Sequence, residues 1–360
     1  MPSRTLWVVP VSNLAGVARH VLDVTRVGVP GWQITVTAPE GPLLDELRAQ
    51  GASVIACELG PGVRPDLAAR RLRRVVQQVR PSVVHSHLAR ADLLAALSTP
   101  ALPVRLVSTE HHIPPDRFMF HRTQARATVM ETIHHLRLKR FSALIAVSDS
   151  TRRDMQTQWR PDRPVRVILN GVDRRPTQPR EPGLRFLSLA RLSPEKNIDM
   201  TLRAFALISA EHPEATLTIG GAGECLPQLT SLAVRLGIAD QVDFAGFIDA
   251  DQAMASHNVV LQPSKSDNCS YTLLDAVAAG MGVAASPIGG NPEILPAHCI
   301  AALDDVEGFA RVAVDQAMHP ERRPRLPETV PTVAGMTGQI ADVYSELASR
   351  AHVKDKGRHR

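Results

Sequence analysis

The stretch LQPSKSDNCSYTLLDAVAAGMGVAASPIGGNPEIL, residues 261–295, decides the fold of the second half of the chain. Its first apolar residues belong to a run that ends at Pro263, and a polar loop follows. An amphipathic segment begins near Tyr271 and ends before Gly280 and Gly282, where a second short apolar run starts. This order predicts a strand, a loop, a helix and another strand, which is the repeating unit of a parallel α/β sheet.

Two carboxylates, Asp267 and Asp275, lie on either side of the predicted start of this helix. In open α/β sheets, ligands bind at the carboxyl ends of strands, where a helix N-terminus offers N–H groups to an anion. Asp267 lies on the loop and Asp275 about one turn into the helix, so one ligand could contact both along its length. The structural alternative is that Asp267 caps the helix and Asp275 is a solvated helix residue.

The whole chain alternates short apolar runs with helical patterns, which predicts doubly wound parallel sheets. In the first half the predicted strands are at 6–9, 34–38, 54–56, 83–84, 104–107, 143–147 and 165–169. In the second half they are at 184–190, 215–219, 242–244, 259–261 and 283–285, with helices centred near Leu202, Leu232 and Leu274.

The pattern divides the chain into two Rossmann-like domains, 1–173 and 184–331. The Pro-rich segment 174–183, which follows the turn-forming pair Asn170 and Gly171, is the predicted linker. A helical pattern over 332–350 follows the second domain, and the charged tail 351–360 is expected to fray.

The stretch 261–295 resembles the donor-sugar motif of the retaining glycosyltransferases of family 4, which have the two-domain GT-B architecture. The residues that match the motif are Pro263, Ser264, Ala276, Gly280, Gly289, Gly290, Pro292 and Glu293. The two glutamates of the motif are replaced by Asp267 and Asp275, and Gly282 stands in place of its usual proline. The resemblance implies two Rossmann-like domains that face each other across a cleft, with the C-terminal helix returning to the first domain.

The resemblance also implies roles for the acidic loop and the helix that follows it. Asp267 would reach a donor-sugar hydroxyl at the catalytic face, and Asp275 would hold the ribose hydroxyls. The loop residues that would contact the sugar are Asn268, Cys269 and Ser270, and the helix-start amides that would face the diphosphate are those of Tyr271 and Thr272. Each aspartate is shorter than glutamate by one methylene, about 1.5 Å. Either the backbone lies closer to the donor, or the donor differs from the common ones.

Arg191 and Lys196 follow the first strand of the second half, in the segment LSLARLSPEKN. A nucleoside-diphosphate leaving group gains charge as the glycosidic bond breaks, so fixed cations stabilise the transition state more than the ground state. By resemblance both side chains bind the donor diphosphate, although Ala190 stands where the family has glycine. The alternative is a pair of surface cations at a helix start.

The Gly-rich turn that contains Gly221 and Gly223 comes after a predicted strand. Many such turns are only tight turns, but the resemblance places these two glycines at the nucleotide pocket and Phe247 near the base. In the first half, the resemblance places His111 beside the donor sugar, with His112 as the alternative. The loop over the acceptor keeps only Gly16 and Arg19 of the family pattern.

A metal site is the alternative for the histidines of the first half. His85 and His87 would point to one face of a strand, and His111 and His112 follow the next strand. No HExxH pattern or Asp-rich partner accompanies them. We therefore predict no metal and no cofactor, the nucleotide sugar being a co-substrate.

Composition limits the class of protein and its partners. Hydrophobic residues make up 44% and charged residues 21% of the 360 residues, as in soluble globular proteins large enough for two domains. Pro10 interrupts the N-terminal apolar run, which is too short for a signal or a membrane span, so a cytoplasmic protein is expected. The four cysteines have no CxxC spacing and indicate neither disulfides nor a cysteine zinc site.

The net charge of +5 is unevenly distributed. Residues 1–180 contain 26 Lys and Arg against 14 Asp and Glu, whereas the remainder is acidic. The basic runs are Arg70, Arg71, Arg73, Arg74 and Arg80 on one predicted helix, and Arg122, Arg126, Arg137, Lys139 and Arg140 on another. Such runs are most often solvated helix faces, but they also favour an anionic or lipid-linked acceptor over a small polar one. Peripheral contact with the inner membrane surface is a further alternative. Nucleic acid is disfavoured because aromatic residues are only 4%.

The residues and the resemblance together predict a GT-B glycosyltransferase that uses a nucleotide-diphosphate sugar. The resemblance implies that it retains the anomeric configuration, needs no metal and proceeds by front-face attack on the donor. Three alternatives remain: a nucleotide-sugar epimerase of the same fold, a donor-binding protein without turnover, and a membrane adaptor that uses the basic helices.

Overall fold

The computed structural model of the chain describes residues 2–113, 132–174 and 180–356. The chain forms two compact units: unit 1 comprises Met1–Gly171 and Pro331–Arg360, and unit 2 comprises Val172–Val330. Part of the predicted linker, and the basic residues Arg122 and Arg126, lie outside the described residues.

Unit 1 is built on a seven-stranded parallel sheet of order β3-β2-β1-β4-β5-β6-β7. Its strands are β1 (Ser3–Val8), β2 (Trp32–Ala38), β3 (Ser53–Ala56), β4 (Val83–His87), β5 (Arg105–Glu110), β6 (Ala143–Ala146) and β7 (Val165–Val167). Its helices are α1 (Gly16–Val27), α2 (Pro42–Ala49), α3 (Pro65–Val79), α4 (Ala89–Ser98), α5 (described over 132–138), α6 (Asp149–Asp154), which continues as a π-helical turn over Met155–Trp159, and the C-terminal helix (Val333–Lys356).

Side chains of β1 alternate between two apolar cores, one on each face of this sheet. Leu6 and Val8 pack in the core that contains residues of α3 and α4, whereas Trp7 packs in the core that contains residues of α1, α2 and the C-terminal helix. Since successive strand residues point to opposite faces, a strand covered on both sides must be apolar throughout. The uninterrupted apolar runs in the sequence have this cause.

Unit 2 is built on a five-stranded parallel sheet of order β10-β9-β8-β11-β12. Its strands are β8 (Arg185–Leu189), β9 (Thr216–Gly220), β10 (Val242–Gly246), β11 (Val259–Gln262) and β12 (Gly282–Ala285). Its helices are α7 (Ile198–Glu211), α8 (Leu226–Arg235), α9 (Ala250–Ser256), α10 (Tyr271–Ala278), α11 (Asn291–Ile294) and α12 (Val306–Met318), with short 3₁₀ turns at Pro194–Lys196, Ala239–Gln241, Ala297–Cys299 and Pro320–Arg322.

Each apolar run predicted as a strand overlaps a strand of the structure, which confirms two parallel α/β sheets. One detail differs. Gly282 opens β12 instead of ending the preceding helix, and glycine fits there because a Cβ would meet the Gln316 Cβ of α12 at 2.8 Å. None of the helices within the described ranges is long and apolar enough to span a membrane.

The C-terminal helix, which we label α13 (Val333–Lys356), belongs to unit 1, as the resemblance implied. It extends beyond the predicted end at residue 350, because its sequence contains no glycine or proline between Gly338 and Gly357. The segment predicted to fray is therefore helical as far as Lys356, and 357–360 lie outside the described residues.

Tyr344 of α13 anchors this helix in the core of unit 1. Its hydroxyl accepts a hydrogen bond from Trp7 Nε1 at 2.9 Å and lies 2.5 Å from His85 Nδ1. The ring is fully buried, and burial raises the pKa of Tyr344 well above its usual value.

We expect Tyr344→Phe to lower the free energy of unfolding by about 1–3 kcal/mol, because it leaves the buried indole N–H of Trp7 without an acceptor. Ser349→Ala removes a hydroxyl from the exposed face of the same helix and should change that free energy by less than about 0.5 kcal/mol. Urea denaturation of both variants makes the comparison, and equal losses would contradict the anchoring role.

Candidate functional site

The candidate site of unit 2 lies at the point where the strand order of its sheet reverses. Strands β9 and β10 lie on one side of β8, and β11 and β12 lie on the other. The loop after β8 contains Arg191 and Lys196, and the loop after β11 contains Asp267. A crevice forms at such a switch point because the two connections leave in opposite directions.

Lys196 and Asp267 form an ion pair that joins these two loops. Lys196 Nζ donates to Asp267 Oδ2 at 2.9 Å, and the two side chains are 24% and 17% exposed. Asp267 also accepts from Gln262 Nε2 at 3.2 Å and from the Asn268 backbone N–H at 3.0 Å. The structure therefore brings together a cation and a carboxylate that lie 71 residues apart in sequence.

Gln262 links both ends of the acidic loop. Its amide donates to Asp267, and its Oε1 accepts from Ser270 Oγ at 3.0 Å. Ser270 Oγ in turn accepts from the Leu273 N–H, so Ser270 is the N-cap of α10. The structural alternative that Asp267 caps this helix is thus wrong, and Asp275 lies about one turn further along the same helix.

Arg191 is the more exposed cation, with 67% of its side chain accessible. Its guanidinium pairs with Glu195 and donates from Nε to Ser193 Oγ at 3.2 Å, while Ser193 Oγ donates to Glu195 at 2.7 Å. Partial burial acts to raise the pKa of Glu195, but the hydrogen bonds from Ser193, its own backbone N–H and Arg191 outweigh it and lower that pKa. Both predicted diphosphate-binding cations therefore have carboxylate partners in this structure.

The Gly-rich turn lies directly against the loop that contains Arg191. A Cβ on Gly221 would lie 1.9 Å from the Ala190 carbonyl oxygen, and one on Gly223 would lie 2.3 Å from that of Leu192. Gly221 also has φ +136°, a conformation that side chains rarely permit. These glycines are required for close backbone approach. Phe247, the predicted base contact, is 86% exposed.

The remaining predicted donor residues surround the start of α10. Asn268, Cys269, Ser270 and Tyr271 are buried, whereas Thr272 and Asp275 are partly exposed. Of these residues, Thr272 and Asp275 are therefore the ones that solvent reaches most readily in this structure.

Gly289 packs directly against the backbone of the acidic loop. It has φ +58°, and a Cβ there would lie 1.9 Å from the Asp267 carbonyl oxygen. The next residue, Gly290, donates its N–H to the Asn268 carbonyl oxygen at 2.7 Å. The two glycines of the motif thus fix the backbone of the loop that contains Asp267.

In unit 1, the structure brings His111 together with two other histidines. His87 ends β4, His111 follows β5, and His20 lies on α1. His87 Nδ1 and His111 Nε2 are 3.0 Å apart, and His20 Nδ1 is 3.3 Å from Asn170 Oδ1. Burial lowers the pKa of His20 to about 4. Burial also lowers the pKa values of His87 and His111 well below the usual value, and repulsion from neighbouring histidines adds to the effect at these two.

This cluster differs from the one that the sequence indicated. His85 is not part of it, because its ring nitrogens contact Tyr344 Oη and Thr109 Oγ1 at 2.5 and 2.7 Å. His112 lies beside His111 but is not a member of the group either. In the predicted acceptor loop, Gly16 is the first residue of α1, and Arg19 pairs with Asp23 at 2.6 Å.

The strand that precedes His111 ends in a buried ionic network. Arg137 donates to Asp92 Oδ2 and to Glu110 Oε1, each at 2.9 Å, and all three side chains are buried. Burial raises the pKa of Glu110 to about 8, although Arg137 opposes this. Arg137 was expected on a solvated basic face. That expectation is wrong, because two interior carboxylates require a buried cation.

Two family models match this chain. The model described as Glycosyltransferase Family 4 matches residues 14–175, and the model described as Glycosyl transferases group 1 matches residues 183–317. The chain belongs to the family 4 glycosyltransferases. This glycosyltransferase is 27% identical to glycogen synthase of Mycobacterium tuberculosis, and the aligned region covers 89% of this chain and 87% of the relative.

A second relative of this glycosyltransferase is the GDP-mannose-dependent alpha-(1-6)-phosphatidylinositol monomannoside mannosyltransferase of the same organism. It is 26% identical over 318 residues, which cover 80% of each chain. Among solved structures, Anabaena HepE in complex with UDP has a TM-score of 0.75 at 17% identity and covers 97% of this chain and 100% of its own. That likeness shows the fold, and the glycosyltransferase has the GT-B architecture.

The sequence did not single out Gln262, Glu195 or His20 as site residues. Gln262 carried a signal, since it is a polar residue at the carboxyl end of an otherwise apolar strand. Glu195 also carried a signal, since it lies four residues after Arg191, its partner. His20 carried none, because Asn170, its partner, lies 150 residues away and is brought to it by the fold.

We expect Gly289→Ala to destabilise unit 2 more than Gly237→Ala. Both glycines have positive φ, which costs alanine about 1–2 kcal/mol, but only at Gly289 would the methyl group meet backbone. Overpacking adds about 1–3 kcal/mol. Urea denaturation measures the difference in unfolding free energy, and indistinguishable values would show that the loop does not rest on Gly289.

Proposed function

We propose that this glycosyltransferase binds a nucleotide-diphosphate sugar in unit 2 and transfers the sugar with retention of anomeric configuration, without a metal. The observation that carries the proposal is the Lys196–Asp267 pair at the switch point of the sheet, next to the start of α10. A cation, a carboxylate and a helix N-terminus at one edge suit a ligand with an anionic and a polyhydroxyl part.

The diphosphate would replace Asp267 as the partner of Lys196. A phosphate oxygen can accept from the ammonium as the carboxylate does here, and the N-terminus of α10 adds its dipole. Arg191 would exchange Glu195 for the same diphosphate. These contacts strengthen as charge develops on the leaving group, so they act on the transition state.

Asp267, once released from Lys196, would accept a hydrogen bond from a hydroxyl of the donor sugar. Gln262 would keep its carboxylate in place, because that contact does not involve Lys196. The sugar would also meet the loop at Asn268, Cys269 and Ser270, the ribose would meet Asp275, and Gly221, Gly223 and Phe247 would line the nucleotide site. We propose His111 of unit 1 as a second group that contacts the sugar.

Unit 1 would bind the acceptor, with Gly16 and Arg19 in the acceptor loop. The excess of positive charge over residues 1–180 favours an anionic or lipid-linked acceptor. The mannosyltransferase relative, which is named for a phosphatidylinositol monomannoside, supports this choice. Front-face attack, in which the leaving phosphate accepts the acceptor proton, would need no separate enzymic base.

We expect one of UDP, GDP or ADP to raise the thermal midpoint of the wild-type protein. At a concentration of about 100 times Kd, the stabilisation is about 2.7 kcal/mol. Lys196→Ala should weaken binding about 10- to 100-fold, the equivalent of a lost hydrogen bond of about 1.5–3 kcal/mol to a charged group. Arg311→Ala, which removes a 70% exposed cation elsewhere in unit 2, should leave binding unchanged.

No shift with any of the three nucleotides would remove the basis for a donor site. If Lys196→Ala and Arg311→Ala reduce the shift in thermal midpoint equally, the nucleotide binds away from the switch point.

We expect slow hydrolysis of the matching nucleotide sugar to release first the anomer found in the donor. Retention places the incoming oxygen on the face that the diphosphate leaves. Proton NMR during the first turnovers distinguishes this anomer from its mutarotated form. Release of the opposite anomer would contradict the retaining mechanism, whereas isomerisation at C2 would indicate an epimerase.

A further inference from the structure

Three elements of unit 1 bring His20, His87 and His111 within reach of one ion. One ring nitrogen of each lies within 4.8 Å of those of the other two. Zinc binds imidazole nitrogen at about 2.0–2.1 Å, so two ligands of a tetrahedral site lie about 3.3 Å apart. His87 Nδ1 and His111 Nε2 are already 3.0 Å apart. The nitrogens that are up to 4.8 Å apart would have to approach one another by up to about 1.5 Å to reach this spacing.

The surroundings of the three side chains favour neutral rings. Metal ligands must be neutral imidazoles with a free lone pair, and burial disfavours the imidazolium form. His87 and His111 can place only one hydrogen between their facing nitrogens, so the two polar groups form a single hydrogen bond with each other.

Asn170 contacts the ring nitrogen of His20 that would not bind the ion, and it can thereby orient the ring. The Asn170 side-chain oxygen can only accept, so at 3.3 Å it favours the hydrogen on His20 Nδ1 and the lone pair on Nε2. Metal-bound histidines usually donate their other nitrogen to a carbonyl or carboxylate in this way.

We propose that unit 1 binds one divalent transition-metal ion, Zn²⁺ or its analogue Co²⁺, through His20, His87 and His111. An all-imidazole set suits these ions, whereas Mg²⁺ and Ca²⁺ require oxygen ligands. Three protein ligands leave a fourth position open to water or another small ligand. The sequence pattern from which we predicted no metal did not include His20, so this set of three histidines was not part of it.

The ion would act on sugar transfer as a reversible inhibitor. His111 cannot bind the ion and contact the donor sugar with the same nitrogen. This consequence rests on the proposed function of His111, whereas metal binding itself does not.

The competing explanation is that the histidines only pack around Trp7. The indole stacks on His20 at 5.8 Å and lies 4.4 Å from the His87 ring, centroid to centroid. Packing of this kind requires no ion and predicts no specific affinity for one.

Titration of the metal-free full chain with Zn²⁺ and Co²⁺ separates the two explanations. We expect one ion per chain and the intense visible absorption of tetrahedral Co²⁺, without the charge-transfer band that a cysteine ligand would add. His20→Gln and His87→Gln should each weaken binding more than about 100-fold, beyond the 10- to 100-fold loss expected for Asn170→Ala as an outer partner. His298→Gln, at an exposed histidine of unit 2, should bind as the wild type does.

Absence of a one-to-one site in the folded wild-type protein would overturn the proposal, as would equal affinity in His87→Gln and His298→Gln. If a glutamine variant does not fold, Asn170→Ala and the Co²⁺ spectrum of the wild type still decide. The titration contains no nucleotide, so its failure leaves the donor site untouched, and failure of the nucleotide screen leaves the metal site untouched.

Discussion

Every paired strand in both sheets is parallel, and this constraint places the carboxyl ends of all strands at one edge of each sheet. Side chains that follow different strands therefore meet although they are far apart in sequence. Lys196 and Asp267 meet in this way in unit 2, and His87 and His111 do so in unit 1. In both units the meeting place adjoins the point where the strand order reverses, between β8 and β11 and between β1 and β4.

The polar groups at these two edges are held differently, and the difference follows from burial. In unit 2 the ion pair is partly exposed, so an anionic ligand can exchange with the carboxylate at little desolvation cost. In unit 1, His20 and His87 are buried and His111 is partly exposed, and burial disfavours the charged imidazolium form. The sheet edge in unit 2 therefore suits an anion. The sheet edge in unit 1 suits either a metal ion bound by neutral imidazoles or a packed core.

Much of this could be predicted from the sequence because parallel strands buried on both faces are uninterrupted apolar runs. The run 259–261, the loop and the helix that begins at Tyr271 all have the predicted places. Long-range partners could not be predicted, because pairing of the strands decides them. Asn170 beside His20, 150 residues away in sequence, is one case. Arg137 between two buried carboxylates, in a run that resembled a solvated face, is another.

The central claim is that a donor diphosphate takes the place of Asp267 on Lys196. A crystal structure with the stabilising nucleoside diphosphate bound tests it directly. We expect a phosphate oxygen within hydrogen-bonding distance of Lys196 Nζ, at the N-terminus of α10, with the Lys196–Asp267 contact lengthened beyond its present 2.9 Å. A nucleotide bound elsewhere, with that pair intact, would contradict it.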